Sequence, residues 1–228
     1  MTLPTRSDLE LVIVDLDDTL YPQSAWLAGA WPAVAAATTE LGADEAAVLF
    51  HLERIAAAGS DRGHIIDRAL AAAGVEHANA RALVDVFLAH RPAILSCYPG
   101  VIATLAEVSS VASVVVVTDG NPLIQRHKIE TLGIEPYLAG IVVSDELDRS
   151  LRKPSPAPLL VALDLVECDP EHAVMIGDRP GKDTLAARRA GIAAIRVLTG
   201  EYASVPDRPE AELVAEDFVA AVAALKAT

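Results

Sequence analysis

Aromatic residues are scarce in this chain, 4% of 228 residues, although 52% are hydrophobic. The interior must therefore be filled by Ala, Val, Leu and Ile, the composition of an α/β protein rather than of a disordered one. Cysteine is almost missing. Cys97 and Cys168 stand far apart with no Cys-x-x-Cys pair, so neither a disulfide framework nor a zinc site is expected. Long apolar runs are missing too: the longest aliphatic one, Val114–Val117 with its flanks, is far too short to span a bilayer. Residues Met1–Glu10 lack the basic start and apolar stretch of an export signal, and a reducing, cytoplasmic setting is expected. Positive charge is in deficit, 18 Lys and Arg against 32 Asp and Glu, for a formal net charge of -14. Such a field repels polyanions, so neither nucleic acid nor an acidic membrane surface is expected as a partner. A small phosphorylated substrate stays compatible, provided a metal ion and a few Lys or Arg side chains concentrate positive charge at one spot.

What is present is alternation. Short aliphatic runs recur at Leu11–Val14, Val114–Val117, Ile141–Val143, Ala173–Ile176 and Ala193–Val197, with helical segments between them. This order predicts an α/β fold, a mostly parallel sheet covered by helices on both faces. From Leu20 to about Leu95 no strand can be read. Apolar positions there fall at helical spacing instead, as in Val48, Leu52 and Ile55, then Ile65, Ile66, Ala69 and Leu70, then Leu83 and Phe87. The expectation is an α/β core over residues 1–20 and 96–228, interrupted by an all-helical insertion over 21–95. Pro99 is expected in the first turn of a helix through Val101, Leu105 and Val108. A second helix is punctuated by Asn121 as N-cap, Pro122 at its first position and Gly133 at a left-handed end. The tail reads as an edge strand within Glu210–Val214 and an amphipathic helix from Phe218 to Leu225.

The first run delivers two carboxylates, Asp15 and Asp17, at its C-terminal end. Alternate residues of a strand face the same side, so both can look into the crevice where open α/β sheets bind ligands. Carboxylates so close repel each other unless a cation lies between them or one keeps a proton. The later runs are followed by Thr118-Asp119-Gly120, by Lys153-Pro154, and by Gly177-Asp178 with Asp183.

In this order and in these elements, the four groups resemble the motifs of the haloacid dehalogenase-like hydrolases, and Asp183-Thr-Leu-Ala-Ala-Arg-Arg-Ala-Gly191 is similar to that family as well. The resemblance implies a Rossmann-like core with an inserted helical cap and a phosphoryl-transfer site. It implies Asp15 as the nucleophile that becomes an aspartyl-phosphate, and Asp17 as the acid that protonates the leaving alcohol and then activates water. It implies Mg2+ held by Asp15, Asp178 and the backbone carbonyl of Asp17, with Asp183 supporting from behind them or through a water. Lys153 would neutralise Asp15 and a phosphate oxygen. The Thr118 hydroxyl and the amides of Asp119 and Gly120 would hold the other oxygens, and Thr19 would orient the Asp15 loop. The electrostatics give this set a purpose: two unit charges 4 Å apart in a partly protein-like medium interact by roughly 4 kcal/mol, so an unassisted carboxylate attacks a phosphate dianion poorly.

Departures and alternatives shape the reading. Asp119 stands where the family frequently has Asn, so it either turns away or meets a substrate hydroxyl. Arg152 and Arg179 could hold an anionic substrate, although solvated arginines are the plainer expectation. The family's dehalogenases lack an acid at the position of Asp17 and need no metal, so carbon–halogen cleavage is not expected. A phosphomutase would need a second phosphate site in the insertion, where Arg54, Arg62, Arg68, Arg81 and Arg91 are scattered. A non-catalytic binding protein should have lost a catalytic group, and none is missing. The stretch Asp15–Pro22 is also similar to the pyrimidine nucleotidase-like branch, for which Tyr21, Trp26, Trp31, His51 and His64 could meet a base or sugar; packing is the plainer role for each. The sequence thus reads as a magnesium-dependent phosphatase of small phosphorylated metabolites, with a phosphomutase or nucleotidase as the alternative.

Overall fold

A computed structural model describes residues 1–57, 59, 63–75 and 80–227; Arg62 lies outside them. The chain divides into two compact units, Met1–Gln23 with Ile94–Thr228, and Ser24–Ala93. The first unit opens with β1 (Leu11–Val14), and α1 (Gln23–Ala37) then leads into the helical unit, which continues through α2 (Glu45–Ala56), α3 (Ile65–Ala72) and α4 (Ala80–Ala89). The first unit resumes with α5 (Val101–Val108), β2 (Ser113–Thr118), α6 (Pro122–Leu132), β3 (Gly140–Val143), α7 (Ser144–Leu147) and α8 (Ala157–Val166). It ends with β4 (Ala173–Gly177), α9 (Leu185–Ala190), β5 (Ala193–Val197), β6 (Leu213–Ala215) and α10 (Phe218–Ala227).

Six parallel strands form one sheet in the order β3-β2-β1-β4-β5-β6. The order reverses between β1 and β4, which opens a crevice beyond their C-terminal ends. Leu11, Val12, Ile13 and Val14 are all wholly buried, because helices cover both faces of a parallel sheet. That is why such strands read as unbroken aliphatic runs rather than as an alternation. Val14 pairs in register with Val116 on one side and Ile176 on the other, so β1, β2 and β4 end nearly level. Asp15 and Asp178 follow β1 and β4 directly, and Thr118 is the last residue of β2, which lies between them and β3. One layer of the core joins Leu11, Ile13, Val115, Val117, Leu159 and Met175. Truncating one of its large aliphatic residues to alanine costs about 2–5 kcal/mol.

The helical unit has a core of its own, which includes Trp31, Val34, Val48, Leu52, Ile66, Leu70 and Leu83. Its aromatics are concentrated: Trp31 stacks on Phe87 at 4.8 Å, and Trp26 meets the same ring edge-on at 4.9 Å. Asp44 caps α2 by accepting the Ala46 N–H at 2.9 Å.

In the first unit, Asn121 accepts the N–H groups of Leu123 and Ile124, Pro122 opens α6, and Gly133 closes it at a φ of 67°. Pro99 departs from expectation. The helix begins at Val101 with Gly100 as N-cap at a φ of 82°, and Pro99 belongs to the turn before it. That turn is set by long-range pairing: the Tyr98 N–H donates to the Leu20 carbonyl at 2.9 Å, tying the returning chain to the β1 loop. Among the described residues, no helix is long and apolar enough to cross a membrane.

Candidate active site

Asp15 continues the β1–β4 ladder, its N–H donating to the Ile176 carbonyl at 2.9 Å, and this pairing fixes its carboxylate at the crevice. The Lys153 ammonium donates to Asp15 Oδ1 at 2.5 Å and to the Val117 carbonyl at 3.0 Å, and lies 2.7 Å from Asp183 Oδ1. Lys153 is buried, as are Asp15 and Asp183, so these charges interact with little screening. Burial raises the Asp15 pKa to about 7; Lys153 pulls against that rise and Asp183 adds to it. Burial works against the Lys153 ammonium, yet Asp15, Asp183 and Asp119 together hold it protonated far above its ordinary range.

Asp178 follows β4 and is wholly buried, and among the described residues neither of its oxygens has a hydrogen-bond partner. Burial, then the nearby Asp183 and Asp15, push its pKa well above the carboxylate range. Asp183 is carried by a π-helical turn, Pro180–Thr184, and accepts the Arg179 N–H at 3.0 Å. Gly177 makes room for it: a Cβ there would lie 2.5 Å from the Asp183 carboxylate carbon. Asp15, Asp178 and Asp183 each bring one carboxylate oxygen to within 4.8 Å of the others. Buried carboxylates are costly as anions unless donors and countercharge satisfy them; Asp15 and Asp183 have Lys153, while a divalent cation held by all three would supply the charge that Asp178 needs. An all-oxygen donor set suits magnesium rather than zinc or copper, so these residues fit the ion that the family generally uses.

The Asp17 carboxylate is held separately. Its Oδ1 accepts the Tyr21 hydroxyl at 2.5 Å and the Lys128 ammonium at 2.7 Å, while Oδ2 accepts the Gln125 amide at 2.8 Å. Burial alone would raise its pKa; the Lys128 charge and these three donors outweigh it and hold the group below its usual value. Gln125 Nε2 also donates to the Thr118 hydroxyl at 2.5 Å. Neither Gln125 nor Lys128 stands out as a functional residue in the sequence. A signal exists, since Asn121, Gln125 and Lys128 are spaced by four and then three and so share one face of α6, whose start is fixed at the end of β2.

Asp119 takes the first of its two expected courses, and some other expectations change. Asp119 turns away from the crevice into the protein: its Oδ1 accepts the Ser144 hydroxyl at 2.7 Å and the Lys153 N–H at 3.1 Å, with Lys182 3.6 Å from Oδ2. It thereby joins the turn after β2 to the loop that carries Lys153. Gly120 follows at a φ of 132°, open to glycine and strained for other residues. Arg152 and Arg179 are ion-paired rather than free in solvent. Arg152 makes a two-pronged pair with Asp145 at 2.5 and 2.6 Å, whereas Arg179 reaches Glu201 at 2.7 Å and lies 4.2 Å over the Tyr202 ring. Among the described residues the buried Thr19 hydroxyl has no hydrogen-bond partner.

Asp18 anchors the loop after β1 instead. At a φ of 59° it accepts the N–H groups of Gln23 and Glu201, and its carbonyl accepts the Thr199 hydroxyl. Tyr21 is wholly buried with its hydroxyl on Asp17, which makes it a partner of that carboxylate, and Trp26 and Trp31 are buried in the helical unit, so packing explains the two tryptophans. His64 leaves 86% of its side chain exposed, and His51 lies edge-on to Phe50 at 5.3 Å.

A carboxylate paired with a lysine, beside a cluster of buried acids at the switch point of an open α/β sheet, is what a hydrolytic enzyme of this fold class requires. The model of the haloacid dehalogenase-like hydrolases matches residues 9–191, and the chain belongs to that family. It is 30% identical over 208 residues to the glyceraldehyde 3-phosphate phosphatase of Methanopyrus kandleri, covering 88% of each chain. It is 35% identical over 162 residues to the phosphoserine phosphatase of Thermus thermophilus, covering 70% of this chain and 63% of that protein. Among solved structures it resembles a 2-haloacid dehalogenase from Pseudomonas syringae pv. Tomato, with a TM-score of 0.67 and 26% identity over 96% of this chain and 98% of that one.

Proposed function

We propose that the protein is a phosphatase that hydrolyses the phosphate monoester of a small metabolite through an aspartyl-phosphate on Asp15. The observation that carries this reading is the separation of the carboxylates into two environments. Asp15 shares a lysine and an acid cluster, while Asp17, two residues on, is held by donors of its own.

Asp15 and Asp178, with Asp183 beside them, would hold Mg2+, which supplies the positive charge that lets an anionic nucleophile approach a phosphate dianion. The residues do the rest. An Asp15 oxygen forms a bond to phosphorus as the bond from phosphorus to the ester oxygen breaks, and Asp17, which must first take up a proton from solvent, gives that proton to the leaving oxygen. Asp17, now a carboxylate, takes a proton from a water whose oxygen attacks the same phosphorus; inorganic phosphate leaves and Asp15 is restored. Lys153 balances charge on Asp15 and on the phosphate. The Thr118 hydroxyl and the amides of Asp119 and Gly120 line the opposite strand end, where the remaining oxygens would lie.

The relatives named for glyceraldehyde 3-phosphate and phosphoserine support small three-carbon esters as the substrate class. The presence of Asp17 favours this reading over dehalogenation, in which no leaving alcohol needs a proton. The helical unit, inserted between Asp17 and Thr118 in sequence, is assigned the choice among esters. The free thiols Cys97 and Cys168 accord with a reducing cytoplasm. The test is release of inorganic phosphate from p-nitrophenyl phosphate and from a panel of small sugar, triose and amino-acid phosphates, with magnesium and with EDTA. Metal-dependent release that vanishes in Asp15→Asn is expected. Release unchanged in that variant, or none from any ester, overturns the proposal.

A further inference from the structure

Building on the phosphatase reading, we infer that Lys128, with Gln125 and Tyr21, is a positioning residue that fixes the Asp17 carboxylate in the one orientation from which it can protonate the leaving oxygen. Carboxylates offer about four lone-pair directions. Here Tyr21 and Lys128 occupy the two on Oδ1, and Gln125 occupies one of the two on Oδ2. One direction remains, on Oδ2. Proton transfer is thereby confined to a single oxygen and a single side of the group.

The holders are rigid. Lys128 is buried, with 4% of its side chain exposed, and Gln125 and Tyr21 are buried as well, whereas Asp17 keeps 16% of its side chain accessible toward solvent. Two of them come from one face of α6, whose beginning is fixed by the Asn121 cap, and the third comes from the loop of Asp17 itself. Gln125 adds a second connection. Its amide nitrogen bonds both Asp17 Oδ2 and the Thr118 hydroxyl, so the proton donor and a phosphate-facing hydroxyl are set from one side chain. Charge alone would not require this arrangement, because an ammonium anywhere nearby would balance Asp17. Three directional donors restrict its geometry.

Leaving-group dependence tests the inference. A strongly basic leaving oxygen needs the acid, and a weakly basic one does not, so correct placement of Asp17 is worth more for the former. The comparison is kcat/KM for phenyl phosphate and for 2,4-dinitrophenyl phosphate, two esters of similar size, in the wild type and in Lys128→Met. We expect Lys128→Met to lose at least tenfold more on phenyl phosphate than on the dinitrophenyl ester. Equal losses on the two esters overturn the assignment and leave Lys128 a structural residue. Should circular dichroism show Lys128→Met unfolded, Tyr21→Phe, which removes one hydroxyl and keeps the ring, carries the same comparison: a smaller loss with the same bias is expected, and an unbiased loss overturns the inference. Failure of the wild type to hydrolyse either ester would instead strike the phosphatase reading itself, so the two failures are distinguishable.

Discussion

Metal-free protein should lose stability as the solution becomes more alkaline, and Asp15 is the group to perturb. Its folded pKa is about 7, raised chiefly by burial from an ordinary value of 3.8. The sign follows from proton counting. Between those two values the folded chain keeps a proton on Asp15 that the unfolded chain has already released, so rising pH favours unfolding until Asp15 is fully ionised in both states. Each pH unit well inside this window is worth about 1.4 kcal/mol, and the slope fades near pH 7, so the change from pH 5 to pH 7 amounts to about 2 kcal/mol, with less than about 1 kcal/mol beyond. The assay is urea denaturation in EDTA at a series of pH values from 5 to 8, for the wild type and for Asp15→Asn. Wild type should weaken along the series, while the variant, which keeps only the same-signed contribution of Asp178, should be less steep and the more stable of the two at pH 8. Added magnesium should restore the wild type most at the alkaline end, where the cluster is fully charged. An Asp15→Asn curve as steep as that of the wild type would refute the argument, because the slope would then come from other groups.

Other perturbations follow from the same geometry. Lys153→Met strands two buried carboxylates and should cost about 3 kcal/mol at pH 8, less at pH 5, by urea denaturation, with turnover lost. Asp178→Asn should weaken magnesium binding by on the order of 100-fold in isothermal titration calorimetry without unfolding the protein. Gly200→Ala places a Cβ 2.1 Å from the Asp18 carboxylate carbon at a φ of 67°, and should cost roughly 2 kcal/mol by the same urea assay.

Much of the sheet was legible because its inner strands are covered on both faces: β1 and β5 coincide with the aliphatic runs Leu11–Val14 and Ala193–Val197. Helix α6 was legible from chemistry at its ends, where Asn121, Pro122 and Gly133 each do what their side chains or backbone favour. Pro99 misled because a tertiary tie, Tyr98 to Leu20, decided the turn rather than local preference. Asp15, Asp178, Asp183 and Lys153 were singled out by a family resemblance, and their approach to one another depends on strand register that no short stretch encodes. Lys128 was passed over because a lysine on a helix ordinarily points to water; its place on the Asn121 and Gln125 face of α6 was legible, but its pairing with Asp17, 111 positions away in sequence, was not. Arg152 and Arg179 were misjudged for the same reason: a charged residue's partner is a property of the folded surface.

Contacts at the crevice reach far along the chain, with Asp15 and Lys153 separated by 138 positions and Asp18 and Glu201 by 183. Arg196 adds to the effect from within β5, donating to the Tyr202 and Val205 carbonyls and so pinning the stretch that bears Gly200 beside Asp18. Long loops close slowly, since their entropy must be surrendered before distant contacts reward it. A nascent polypeptide therefore carries Asp15 and Asp17 from the outset yet cannot complete these contacts until Glu201 has been made, so no short stretch of the chain reproduces the crevice.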